Sequence, residues 1–227
     1  MCEQQPEEIK RKVRSLAIEA IDKSHPTAWF EELYSQANGD TNQIPWAKLT
    51  PHPYLQEWLE KERPTGLDRS ALVIGCGLGD DAEALAKLGY KVTAFDISSS
   101  AIDWCKKRFP NSVVNYLVAD LFALDPCWTS SFDFVFESRT IQSLPLSARS
   151  QVIESIAKLV APKGTLLAIT SFRDTEEEPD GPPWPLSELE LSQFKQWGLQ
   201  EIRRDLFYLE ETSVKQLRIE YGSVFRH

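Results

Sequence analysis

Short apolar runs alternate with helical periodicity through the middle of the chain. Ala71-Leu72-Val73-Ile74 is an unbroken apolar run of the kind a strand buried on both faces requires. Ala82, Leu85, Ala86 and Leu88 then recur at helical spacing behind Asp80 and Asp81, and Gly89 supplies a stop. Residues 91 to 95 read as a second strand ending on Asp96. Ser98, Ser99 and Ser100 offer capping hydroxyls to a helix over 101–109, and 113–118 reads as the third strand. The fourth strand falls at 132–136, and a helix starting at Ser147 turns Ile153, Ile156 and Val160 inward. Pro162-Lys163-Gly164 then predicts a turn before a fifth strand at 165–171. Strands alternating with helices in this way predict an α/β domain.

The two ends break the rhythm. Residues 6–23 put Ile9, Val13, Leu16, Ala17, Ala20 and Ile21 on one helical face. Thr27 caps a second expected helix that buries Trp29, Phe30, Leu33 and Tyr34. It stops at Asn38-Gly39-Asp40, before a proline-rich loop holding Trp46 and His52, and 54–62 predicts a third, short helix. At the other end, Ser187 caps a helix to Trp197, and 199–209 and 214–221 have strand character on either side of Glu210-Glu211-Thr212.

The first strand runs into three alternating glycines, Gly75, Gly77 and Gly79, with Cys76 between the first two. Glycine removes the β-carbon, so a ligand can lie against bare backbone. Asp96 follows Gly79 by 17 residues, at a strand tip where a carboxylate can take hydrogen bonds from both hydroxyls of a ribose. A dinucleotide fingerprint would place a third glycine at position 80 to admit a pyrophosphate. Asp80 stands there, with Asp81 beside it, and two acids at a helix N-terminus stabilise the helix while repelling phosphate. A ligand with a ribose and no phosphate, such as S-adenosylmethionine (SAM), fits better.

These residues resemble the class I SAM-dependent methyltransferases. Val73-Ile74-Gly75-Cys76-Gly77-Leu78-Gly79 matches their first motif and Asp96 the acid of the second. Val118-Ala119-Asp120-Leu121 resembles the segment that meets the adenine, and Phe132-Asp133-Phe134-Val135-Phe136-Glu137 resembles strand four. The resemblance runs best over 67–171. It implies an α/β, Rossmann-like class I methyltransferase fold: a seven-stranded, mostly parallel sheet with an antiparallel C-terminal strand and extra N-terminal helices. It implies SAM as cofactor, with Gly75, Cys76, Gly77, Gly79, Asp96, Ile97, Asp120, Leu121 and Glu137 around it. A Pro-Trp segment before the first motif is similar to the thiopurine and tellurite-resistance methyltransferases, whose N-terminal segment closes over cofactor and substrate. That adds Trp29 and Trp46, with 1–66 as a lid or cap on a 67–227 core within one domain. The plainer reading, that these helices pad the sheet and bury their own aromatics, stands beside it.

Arg139, just past strand four, lies at the carboxyl edge where open sheets bind ligands, so Arg139, Phe172 and Trp184 are the expected substrate contacts. Gly181-Pro182-Pro183-Trp184 is not the D/N-P-P-Y/W signature of amino-methylating nucleic-acid enzymes. Its first residue is glycine, and it follows strand five rather than strand four. Candidates for a general base are Glu137, His52 and His25, none in a telling context.

Composition narrows the partners. A net charge of −9 and a pI near 5.0 disfavour a nucleic-acid partner held by neutralising its phosphates. The polar N-terminus reads as no signal peptide, and no apolar run reaches membrane-spanning length. The four cysteines are scattered and there are only three histidines, so no metal site is expected and a cytoplasmic protein is. Cys76 reads as a small residue fitting a tight turn. The expected activity is methyl transfer to a small molecule, with a thiol or aromatic acceptor in view. A non-catalytic SAM-sensing module and a nicotinamide oxidoreductase are the alternatives, and a monomer and a homodimer both remain open.

Overall fold

The computed structural model describes residues 7–22, 25–208 and 214–224. Cys2, the expected 210–212 turn and His227 lie outside them. Seven strands form one sheet in the order β3-β2-β1-β4-β5-β7-β6. These are β1 (Ser70–Ile74), β2 (Lys91–Asp96), β3 (Asn115–Val118), β4 (Phe132–Ser138), β5 (Val160–Phe172), β6 (Leu199–Tyr208) and β7 (Lys215–Ser223). Every pairing from β3 across to β5 is parallel, and β7 runs antiparallel to both β5 and β6. The chain order reverses between β1 and β4, and the crevice at such a switch point is where open α/β sheets bind ligands.

Alternation along the buried strands sends side chains to both faces. Leu72, Ile74 and Val135 pack with α6 (Arg149–Leu159) and α7 (Glu188–Gln196) through Ile153, Ile156 and Phe194. Val73, Ala94, Phe134 and Phe136 face the other way, onto α3 (Pro53–Glu62), α4 (Asp80–Lys87) and α5 (Ser99–Arg108). A third cluster belongs to the N-terminal helices. Ala17 and Ala20 of α1 (Glu7–Asp22) meet Trp29, Leu33 and Tyr34 of α2 (Ala28–Ala37), and these rest on Leu78 and Ala101. These N-terminal helices thus sit against the glycine turn and the start of α5.

Several element ends differ from the pattern-based expectation. Strand β5 begins at Val160, because Val160 pairs with Phe132 and the register then slips between Phe132 and Phe134. Pro162-Lys163-Gly164 is therefore absorbed as an irregularity inside the strand rather than ending it. The first of the capping serines, Ser98, accepts from Ala101 N at 3.0 Å, so α5 starts two residues before 101. Thr27 makes no side-chain cap bond to α2. His52 caps α3 instead of lying in plain loop, its Nδ1 accepting from Tyr54 N at 3.2 Å with Pro53 in the first turn. A 3₁₀ turn, Leu146–Ala148, delays α6 to Arg149.

Candidate functional site

A cavity of about 780 Å³ opens at the carboxyl ends of β1, β2 and β4, a volume typical of small-molecule sites. Its floor is the glycine turn. Gly75, Gly77 and Gly79 all hold left-handed backbone, with φ of +58, +53 and +89. A β-carbon on Gly75 would lie 2.5 Å from Thr140 Oγ1, and one on Gly77 would lie 3.1 Å from Tyr34 Oη. The glycines are thus demanded by the turn's own conformation and neighbours, and the turn still presents bare backbone to the cavity.

Asp96 ends β2 with its carboxylate clamped. Oδ2 accepts from Gly77 N and Oδ1 from Ser98 N, both at 2.9 Å. Each oxygen keeps a lone pair for a further donor. Burial pushes its pKa up to about 6 against the pull of these backbone donors. Ile97, Asp120 and Leu121 continue the wall, and Asp120 Oδ1 accepts from Phe122 N at 2.9 Å. Asp120 therefore both caps its own turn and faces the cavity.

The two acids at the start of α4 have separate fates. Asp80 is bidentately paired with Arg108 of α5, at 2.7 and 2.8 Å, and Arg108 also holds the Leu78 carbonyl. Asp81 instead accepts the backbone N–H of His52 at 2.6 Å. Its accessible face opens onto the cavity. Burial raises its pKa to about 6, Asp80 adds to the rise, and the His52 N–H and Arg139 oppose it.

Aromatic side chains and a strap over 45–54 roof the floor. Trp29 stacks on Phe30 with centroids 3.9 Å apart and meets Trp46 edge-on at 6.0 Å. Trp46 donates its indole N–H to Tyr34 Oη at 2.7 Å. Roof and floor are joined by Glu31 of α2, which accepts from the Ser98 hydroxyl at 2.7 Å, the Ser100 hydroxyl at 2.6 Å and Ser100 N at 3.0 Å. A carboxylate from the cap thereby caps the helix that follows Asp96.

Arg139 lines the far wall in a left-handed conformation, φ +64, and donates to Gln216 of β7 at 3.3 Å. His52 lines the same end. Burial, then Arg139, push its pKa down to about 3, so the imidazole is neutral. Its Nδ1 already accepts from Tyr54 N, which leaves the remaining proton on Nε2, a donor. Glu137 is fully buried behind the wall. Its Oε1 accepts from Thr140 N at 2.6 Å and Ile141 N at 3.1 Å, and burial raises its pKa to about 7. Cys76 is on the wall, but a hydrogen bond with Cys105, and then burial, raise its thiol well above the ordinary range.

The structure brings Gly75, Cys76, Gly77, Gly79, Asp96, Ile97, Asp120, Leu121, Trp29, Trp46 and Arg139 to one cavity. Glu137, Phe172, Trp184 and His25 are not on its wall. Trp184 is buried instead, and its backbone is fixed there: its main-chain N–H donates to the Gln142 carbonyl at 2.7 Å and its main-chain carbonyl accepts from Arg149 at 3.1 Å. Pro182 and Pro183 reach the cavity in its place. Phe172 bridges to Leu186 at the end of β5. Tyr34 and Gln216 line the cavity without having been singled out from sequence, and Asp81, read there only as a helix-terminal acid, lines it as well. Tyr34 had the one usable signal, since it shares an apolar helical face with Trp29 and Phe30. Among the described residues no group of histidine, cysteine and carboxylate side chains could hold a metal, and no helix is long and apolar enough to cross a membrane.

The donor set suits a nucleoside without phosphates, because the helix N-terminus facing the cavity carries acids rather than bare N–H groups. Residues 72–168 match the protein family described as a methyltransferase domain. The chain is 31% identical over 153 residues to a probable thiol methyltransferase 2 of Arabidopsis thaliana, covering 65% of each chain. It is 25% identical over 165 residues to a thiopurine S-methyltransferase of Vibrio atlanticus, covering 67% of this chain and 75% of that one. The match to the Arabidopsis protein thus spans less than two thirds of its length. The N-methyltransferase NodS of Bradyrhizobium japonicum, solved with S-adenosylhomocysteine, superposes with a TM-score of 0.64 at 18% identity, covering 85% of this chain and 97% of that one. Motif, sheet order and cavity agree with these matches: residues 72–168 carry a methyltransferase domain, and the fold is that of the class I SAM-dependent methyltransferases.

Proposed function

We propose that this protein transfers the methyl group of SAM to a small acceptor through sulfur or another soft atom. One observation carries the reading. The ribose-type floor opens into an aromatic chamber in which neither His52 nor Glu137, the two candidate bases nearest to it, is arranged as a base toward an acceptor. His52 presents a proton rather than a lone pair, and Glu137 stands behind the wall. SAM would supply an activated methyl on a sulfonium. The residues that would hold it are Asp96 at the ribose hydroxyls, Asp120 and Leu121 at the base, and the glycine turn beneath. Trp29, Phe30 and Trp46 exclude water, which favours a thiolate meeting a sulfonium because charge is cancelled as they react. The thiol and thiopurine relatives support this acceptor class. NodS, an N-methyltransferase, shows that the fold serves nitrogen as well, so the acceptor atom is the part to test.

S-Adenosylhomocysteine should raise the melting temperature and NAD should not, because a ligand bound only by the native state stabilises it. Binding without turnover of pooled thiols, phenols and amines would make the protein a SAM-sensing module. For the acceptor, kcat/KM is measured against pH with two thiols of different acidity. The inflection should move with the thiol. An inflection that stays fixed and vanishes in Asp81→Asn or Glu137→Gln would assign a protein base and overturn the soft-nucleophile reading.

A further inference from the structure

Four carboxylates line the cavity: Asp80, Asp81, Asp96 and Asp120. Three are accounted for within the fold and the reading above. Asp80 is neutralised by Arg108, Asp96 clamps the glycine turn to β2 and faces the ribose position, and Asp120 caps its own turn. Asp81 is different. Among the described residues its carboxylate makes no ion pair. Its one hydrogen bond is from His52 N to Oδ1, and its accessible face is turned into the cavity. The charged and titratable groups acting on it are few. Asp80 on its own helix repels it, Arg139 from the loop after β4 attracts it, and His52 on the strap is neutral. An enclosed carboxylate in this position is short of positive charge, and the natural remedy is a cation brought by the ligand.

We propose that Asp81 is the counter-charge for a cationic group of the bound cofactor. This rests on the reading of the cavity as a SAM site. SAM carries two cations, the sulfonium and the α-ammonium, and one carboxylate at this wall suits either. Arg139 at the same end fits as the partner of the α-carboxylate if the amino-acid tail is the part that docks there. Asp81 also fastens the strap through His52 N, so cofactor charge and closure of the roof meet at one side chain. A second consequence concerns protons. A cation beside Asp81 lowers a pKa that burial holds at about 6, so binding near pH 6 releases a proton that binding at pH 8 does not.

The test compares wild type with Asp81→Asn, which keeps an oxygen for His52 N and so preserves the strap. Calorimetry measures affinity for SAM, S-adenosylhomocysteine and 5′-methylthioadenosine, which carry two, one and neither of the two cations. The variant should bind SAM at least tenfold more weakly and methylthioadenosine unchanged. Loss with S-adenosylhomocysteine as well assigns the α-ammonium, and loss with SAM alone assigns the sulfonium. Repeating the wild-type titration at pH 6 in buffers of different ionisation enthalpy should reveal proton release that the variant lacks. Equal affinity of variant and wild type for all three ligands would overturn the proposal, and so would an equal fall for all three, which would make Asp81 a strap support only. Failure of the wild type to bind SAM or S-adenosylhomocysteine at all would instead sink the methyltransferase reading.

Discussion

The floor and the roof of the cavity are built by different physics. The floor is backbone held by charge: Asp96 takes N–H groups from the glycine turn and from the residue that caps α5, and positive φ angles fix the turn. Its geometry leaves little freedom, so it can discriminate one ligand's hydroxyls from another's. The roof is aromatic surface. Trp29, Phe30, Tyr34 and Trp46 touch through ring contacts and one indole-to-hydroxyl bond. Such a surface excludes water and accepts ligands of varied shape. On the function proposed above, the difference divides the labour, with cofactor identity set below and acceptor range set above.

Damage to the floor should therefore appear in cofactor binding, and damage to the roof in stability and acceptor handling. The largest effect is expected for Asp96→Ala. It removes a charged acceptor and orphans two buried donors, so affinity for S-adenosylhomocysteine should fall by about 2 kcal/mol or more, roughly 30-fold. An unchanged affinity in a folded variant would make the clamp purely structural. Next is Gly77→Ala, where floor meets roof. The left-handed conformation costs a non-glycine residue roughly 1–2 kcal/mol, and the new methyl meets the Tyr34 hydroxyl. Chemical denaturation should show that loss, and equal stability would contradict the turn geometry. Trp46→Phe keeps the ring surface and deletes the bond to Tyr34. About 1 kcal/mol of stability should go, with KM for the acceptor changing more than cofactor affinity. The reverse ranking would dissolve the distinction between floor and roof.

The smallest effect separates the two regions by pH. The raised pKa values of Asp81 and Asp96, about 6, and of Glu137, about 7, mean that the folded protein holds these protons more tightly than the unfolded chain. Their contribution to stability therefore rises as pH falls from 7.5 to 5.5. His52, held neutral with a pKa near 3, opposes this below its ordinary 6.5. Three acids outweigh one histidine, so the melting temperature of the ligand-free protein should increase over that interval. Affinity for S-adenosylhomocysteine should decrease over it, as Asp96 takes up a proton and loses acceptor strength. A parallel rise of both would refute the assignment of Asp96.

Most of the sheet was legible because buried parallel strands are dominantly apolar runs, unbroken at 71–74 and broken only by Asp133 at 132–136. The start of β5 was not. Pro162 and Gly164 announce a turn locally, and only the pairing of Val160 with Phe132 overrides them. The floor was legible for the same local reason, since glycine turn and strand-tip acid lie within one strand–helix–strand unit. The far wall was not, because it is assembled by tertiary structure. Asp81 meets His52 across 29 residues, and Arg139 meets Gln216 across 77. Trp184, expected as a substrate contact, is buried off the cavity wall, its main chain tied to Arg149 and the Gln142 carbonyl, while Pro182 and Pro183 line the cavity.

The bracket at Glu31 bears on how such proteins can be recombined. Exchanging the N-terminal segment with that of a relative is an obvious way to change the acceptor while keeping the cofactor. Here that cut would separate a carboxylate from the helix start it caps, because Glu31 belongs to the segment exchanged and Ser98, Ser99 and Ser100 to the segment retained. A chimaera keeping those serines but lacking an acid at position 31 would loosen the turn directly behind Asp96, and the cofactor pocket would suffer for a change aimed at the acceptor. Glutamate and serine triplet form one inheritable unit split across the sequence, and a graft that moves them together is the one expected to carry specificity cleanly.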